Sequence, residues 1–126
     1  MTDNADMRGK RILIVEDDAF IALDLEDVFE AAGFKVVGIA ASVDAALEII
    51  DSNPIDVAVL DYNLGVETSL DIAHRLDAMG VPFLFLSGQT RTVVLDDADV
   101  QPIVLNKPFV PAHLVNETRS LFRSTA

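Results

Sequence analysis

The sequence predicts an α/β fold in which a parallel five-stranded sheet carries helices on both faces. Two observations predict it. Short, β-branched apolar runs alternate five times with segments of helical periodicity. The runs are apolar at successive positions rather than at every second one, the pattern of strands covered on both sides. Right-handed crossovers between parallel strands then leave few topologies.

The first strand is expected at residues 11–15 (RILIV). A helix over 19–32 follows, with Ile21, Leu25, Val28 and Phe29 on one side and Asp24, Glu26, Asp27 and Glu30 mostly opposite. Gly33 supplies its stop. The second strand is 35–40 (KVVGIA), and Ser42 is placed to cap a helix over 43–51 that ends before Asn53-Pro54. The third strand is 56–60 (DVAVL). Thr68 or Ser69 caps the next helix, which carries Leu70, Ile72, Ala73 and Leu76 and ends at Gly80. The fourth strand is 82–86 (PFLFL). The pattern is weakest over 91–99, where Val93-Val94-Leu95 precede Asp96, Asp97 and Asp99, and a short or irregular helix is expected. A fifth strand at 103–105 (IVL) leads to a last helix over 111–123, with Pro111 in its first turn.

The chain has 126 residues, the size of one domain, and a hydrophobic fraction of 51% suffices for a core. Residues 1–10 are polar and read as a flexible leader, and 11–124 as one domain with no length left for an output domain. With no cysteine there is no disulfide framework and no cysteine-based metal or nucleophile site. The lack of cysteine fits a reducing compartment, and with neither a secretory signal nor an apolar run of membrane-spanning length a cytoplasmic protein is expected. A formal net charge of −12 argues against nucleic-acid partners and anionic membranes, and for proteins or cations such as Mg²⁺.

Sites in open α/β sheets form at the carboxyl ends of the strands. Here those ends carry Glu16-Asp17-Asp18, Asp61, Ser87-Gly88 and Asn106-Lys107-Pro108. Taken singly, each is an ordinary turn or cap signal. Taken together, they bring carboxylates, a hydroxyl and an ammonium to one edge. Clustered carboxylates repel unless a cation joins them. Ligands that are all hard oxygens, without His or Cys, select Mg²⁺ or Mn²⁺ over Zn²⁺. Such a site suits phosphoryl transfer to a carboxylate, because an ionised Asp needs no general base. A metal and Lys107 would offset the repulsion between two anions, and Ser87 can donate to a phosphoryl oxygen.

The motifs ILIVEDD (12–18), DVAVLDYNLG (56–65), FLSG (85–88) and NKPF (106–109), in this order and spacing, resemble the receiver domain of two-component response regulators. The resemblance covers residues 11 to 122. It implies a flavodoxin-like (βα)5 three-layer sandwich of strand order 2-1-3-4-5. It also implies roles by position. Asp61 matches the phosphoacceptor, Asp17 the direct Mg²⁺ ligand, Glu16 a helper acting through water, and Asn63 the residue whose backbone carbonyl completes the metal site. Ser87 matches the switch hydroxyl and Lys107 the family's lysine, with a cis Lys107–Pro108 bond. Asp18 is expected to cap the first helix rather than bind metal, and Asn63 and Gln89 fall where this family tunes dephosphorylation.

Two departures stand out. Where many receivers have a proline after the phosphoacceptor, this chain has Gly65-Val66-Glu67, so a more flexible loop and a positive φ at Gly65 are expected. The switch position that is usually aromatic is Val104. Together with the Asp-rich 91–99 segment, this resembles an atypical receiver group known mainly from alphaproteobacteria.

The resemblance implies a stand-alone receiver in a phosphorelay, phosphorylated by a histidine kinase or phosphotransferase. It would catalyse its own phosphorylation and slow dephosphorylation without being a dedicated enzyme. Its signal would pass to a downstream protein through the face of the fourth helix, fifth strand and fifth helix of the pattern, and a phosphorylation-dependent dimer stays open. A phosphorylation-independent scaffold is less favoured, because Asp17, Asp61 and Lys107 are all kept. A Mg²⁺ phosphohydrolase would place its nucleophile in an Asp-x-Asp motif after the first strand, and the chain lacks the Gly-rich loop of a nucleotide site. His74 and His113 read as surface residues of helices.

Overall fold

The computed structural model describes residues 8–88 and 102–124. The expected segment 91–99 and Gln89 lie outside the described residues. In chain order the elements are β1 (Arg11–Val15), α1 (Ala19–Ala31), β2 (Lys35–Ala40), α2 (Val43–Ser52), β3 (Val57–Asp61), β4 (Asn63–Leu64), β5 (Glu67–Thr68), α3 (Leu70–Ala78), β6 (Phe83–Ser87), β7 (Ile103–Asn106) and α4 (Pro111–Ser124). The main sheet runs β2-β1-β3-β6-β7 with every pairing parallel. Since β4 and β5 form a separate small hairpin, this is the expected order 2-1-3-4-5 of the five long strands.

Alternation along the strands divides the core into two layers. Leu13, Val15, Ala58, Leu60, Phe83 and Phe85 point to one side, where Ala46 and Ile50 of α2 and Ile72 and Leu76 of α3 cover them. Ile12, Ile14, Val57, Val59, Leu84 and Leu86 point to the other, against Leu25 and Phe29 of α1 and Leu114 and Val115 of α4. Central β1, β3 and β6 are buried almost throughout, as the continuous apolar runs predict. The edge strands depart from that expectation: β2 and β7 are mostly half-buried, because each has a neighbour on one side only among the described residues.

Caps set the helix starts. The Asp18 carboxylate accepts from the Phe20 and Ile21 amides (2.9 and 3.2 Å), so Asp18 has the capping role expected of it. Ser42 Oγ accepts from the Ala45 amide at 3.2 Å. At α3 the acceptor is Thr68 Oγ1, 3.5 Å from the Leu70 amide, while the Ser69 side chain makes no cap bond. Residues 8–10, read from the sequence as part of a leader, are tied to the body: the Gly9 amide donates to the Gly33 carbonyl (2.8 Å) and the Lys35 amide to that of Lys10 (2.8 Å).

Two local features escape the hydrophobic pattern. The register between β1 and β2 shifts after Ile12↔Val36 to Leu13↔Gly38, leaving Val37 as an extra residue in β2. Just past it, α2 packs so closely that a Cβ on Gly38 would stand 2.9 Å from Ile49 Cδ1. The second feature is the β4–β5 hairpin, where Asn63 pairs with Thr68 and Leu64 with Glu67. Gly65-Val66, where a more flexible loop is expected, form the two-residue turn between these strands. Gly65 does adopt a positive φ, +72°, which suits the first central position of a two-residue hairpin loop.

Candidate phosphoacceptor site

The carboxyl ends of β1, β3, β6 and β7 lie side by side, because these four strands are neighbours in one parallel sheet. Asp61 is the last residue of β3, opposite Leu86 of β6, and Ser87 of β6 is opposite Asn106 of β7. The turn after β1 holds Glu16 and Asp17, with the Glu16 amide donating to the Ala40 carbonyl (2.9 Å). The turn after β7 holds Lys107, whose amide donates to the Ser87 carbonyl (2.8 Å). Main-chain bonds and strand pairing thus fix the roots of Glu16, Asp61, Ser87 and Lys107.

Glu16 and Asp61 are buried (2% and 6% exposed), whereas Asp17 is exposed. One carboxylate oxygen from each of the three lies within 4.8 Å of the others. Lys107 Nζ reaches both buried members, at 2.9 Å from Glu16 Oε1 and 3.2 Å from Asp61 Oδ2. The second Glu16 oxygen accepts from the Asp18 amide at 3.2 Å, which links the cluster to the α1 cap.

Charge is unbalanced in this arrangement. Burial, together with the hydrogen bond and negative charge of Glu16, pushes the Asp61 carboxyl up to about 7, against the pull of Lys107. Burial works against the Lys107 ammonium as well, but Glu16 and Asp61 outweigh it and raise it above the ordinary lysine value. One ammonium faces three carboxylates. A divalent cation would relieve that excess, and an all-oxygen donor set fits Mg²⁺ or Mn²⁺.

The sequence-predicted residues fall as follows. Glu16, Asp17, Asp61 and Lys107 come together, and Ser87 is buried at the carboxyl end of β6, the strand between β3 and β7. Asn63 is exposed at the start of β4, two residues beyond Asp61. Val104 pairs with Phe85 and packs half-buried against the core layer that contains it. The Lys107–Pro108 peptide is cis. His74 and His113 are exposed on α3 and α4 and stand outside the acidic cluster. The direct Glu16–Lys107 pair had no signal in the sequence, since nothing there says which of three neighbouring carboxylates a lysine three strands away will reach.

Residues 12–119 match the response regulator receiver domain. The chain belongs to that family. The receiver is 33% identical to the DNA-binding response regulator MtrA of Mycobacterium tuberculosis over 94% of its own length and 53% of that protein's. It is 28% identical to the phyllosphere-induced regulator PhyR of Methylorubrum extorquens, over 87% of its length and 42% of PhyR. The chain thus spans about half the length of these curated relatives. The solution structure of SdrG from Sphingomonas melonis Fr1 superposes with a TM-score of 0.75 at 35% identity, covering 97% of this chain and 99% of SdrG. Family membership places the receiver in two-component signalling, where receiver domains accept phosphoryl groups. Among the described residues no helix is long and apolar enough to cross a membrane.

Proposed function

We propose that this receiver accepts a phosphoryl group from a histidine kinase or phosphotransferase on Asp61, in a Mg²⁺-dependent reaction, and signals from the cytoplasm by contact with another protein. The observation that carries the proposal is the placement of a buried carboxylate, Asp61, between the Lys107 ammonium and the Glu16–Asp17 pair. Mg²⁺ would be held by Asp17, Asp61 and the Asn63 carbonyl, with Glu16 through water, and would supply charge neutralisation at the incoming phosphoryl group.

The residues then divide the work. An Asp61 oxygen forms the new P–O bond as the P–N bond to the donor histidine breaks, and the imidazole leaves with the electron pair. Lys107 screens Asp61 from the phosphoryl charge, then pairs with a phosphoryl oxygen. Ser87 donates to another oxygen, and its movement biases the face that includes β7 and α4. Asn63 and Gln89 tune hydrolysis through water.

Incubation with acetyl phosphate or phosphoramidate and Mg²⁺, followed by intact-mass analysis, tests the proposal. The expected result is one added phosphoryl group on the wild type and none on Asp61→Asn or in excess chelator. A folded wild type that gains no mass under these conditions overturns it.

A further inference from the structure

The eight residues between Asp61 and α3 are held to the body at few points. At the base, the Tyr62 amide donates to the Leu86 carbonyl (2.8 Å) and the Ser69 amide to the Tyr62 carbonyl (3.0 Å). Beyond this base, β4 and β5 have two residues each, a hairpin too short to hold its own shape. The tip is Gly65, with open space around its Cβ position, and fully exposed Val66. Among the described residues two further anchors hold the hairpin, and both sit on one rung. Leu64 is buried in the same core layer as Val43. Its partner across the hairpin, Glu67, accepts a hydrogen bond from the Val43 amide at 3.2 Å, a link across 24 residues of sequence.

That amide opens α2 and has no acceptor within its own helix. Ser42 Oγ serves the Ala45 amide instead. The positive end of the helix favours a carboxylate here. On the next rung lies Asn63, opposite Thr68. Resting on the proposed metal site, we infer that Glu67 is a positioning residue: by tying the β4–β5 hairpin to the first turn of α2, it holds the Asn63 main chain in place for Mg²⁺. A plain helix cap would contribute to stability alone. A tether also sets metal affinity, as groups that orient a ligand do.

Mg²⁺ titrations of the full chain, read by fluorescence of its one tyrosine, Tyr62, separate these roles, alongside Tm with and without Mg²⁺. Glu67→Ala is expected to weaken Mg²⁺ binding about tenfold. Glu67→Gln, which keeps an acceptor oxygen, should stay within about twofold of wild type. Val43→Pro removes the donor instead, at a first helical position where proline is accommodated, and should weaken binding as Glu67→Ala does. Unchanged affinity in Glu67→Ala and Val43→Pro, with equal loss of Tm in both conditions, overturns the inference and leaves the proposed function standing. Glu67→Gln as weak as Glu67→Ala also overturns it, since charge rather than tethering would then be at work. A wild type that binds no Mg²⁺ overturns the metal-site reading itself and this inference with it.

Discussion

Asp61 is held as a carboxylate in surroundings that favour its protonated form. Its buried carboxyl, pushed up to about 7, binds a proton more tightly in the folded chain than in the unfolded one, where an ordinary carboxyl titrates near 4. The stabilisation from that proton is complete below pH 4 and is lost as the pH rises through about 7. Asp61→Asn removes the titration and keeps the shape. In metal-free buffer at pH 8 the variant should therefore be more stable than wild type by on the order of 1–2 kcal/mol, a figure that allows for water reaching the cluster. The difference should vanish toward pH 4, as urea denaturation across that range would show. Equal pH dependence in the two proteins would contradict this account of the site. The same proton competes with metal, so wild-type Mg²⁺ affinity should fall as the pH drops below 7.

At the scale of elements, the contact between β2 and α2 is set by the absence of a side chain. Gly38 follows the extra residue of β2, and a methyl group there would meet Ile49 Cδ1 at 2.9 Å and Cγ2 at 3.3 Å. Gly38→Ala should destabilise the protein by about 1–3 kcal/mol through overpacking. Ile49→Val removes the nearest of those atoms, so adding it to Gly38→Ala should recover part of the loss. A double-mutant cycle in thermal denaturation measures that coupling, and strict additivity would mean that the helix moves away freely. The β4–β5 hairpin shows the opposite case, where Gly65 has open space around it and matters for its φ of +72°. Both glycines were visible in the sequence. Only the φ at Gly65 was expected there, because the departure from the family pattern pointed to it, whereas nothing near Gly38 indicates how closely α2 approaches.

On the scale of the whole molecule, four strand ends from distant parts of the chain share one edge that carries the acidic cluster, so a cation filling that edge should stabilise the entire domain. A ligand that binds only the folded state at one hundred times its Kd adds about 2.7 kcal/mol, roughly 10 °C in Tm for a domain of this size. Mg²⁺ should raise Tm in this concentration-dependent way for wild type and far less for Asp61→Asn. Tyr62, next to Asp61 and edge-on to Phe85 at 5.7 Å between ring centroids, should report the same titration. By itself the sequence determined the alternation of strands and helices, the Asp18 and Ser42 caps, and the set of residues at the strand ends. Periodicity and capping act within a few residues, and parallel strands bring their carboxyl ends to one edge whatever their separation in the chain. Only the tertiary structure decided that Lys107 bridges Glu16 and Asp61, that Glu67 reaches the start of α2, and that Gly38 makes room for Ile49. Each of these is a contact of a few ångströms between segments far apart in sequence. Such contacts depend on the register and twist of the sheet and on how closely the helices pack, quantities that no local pattern of residues encodes.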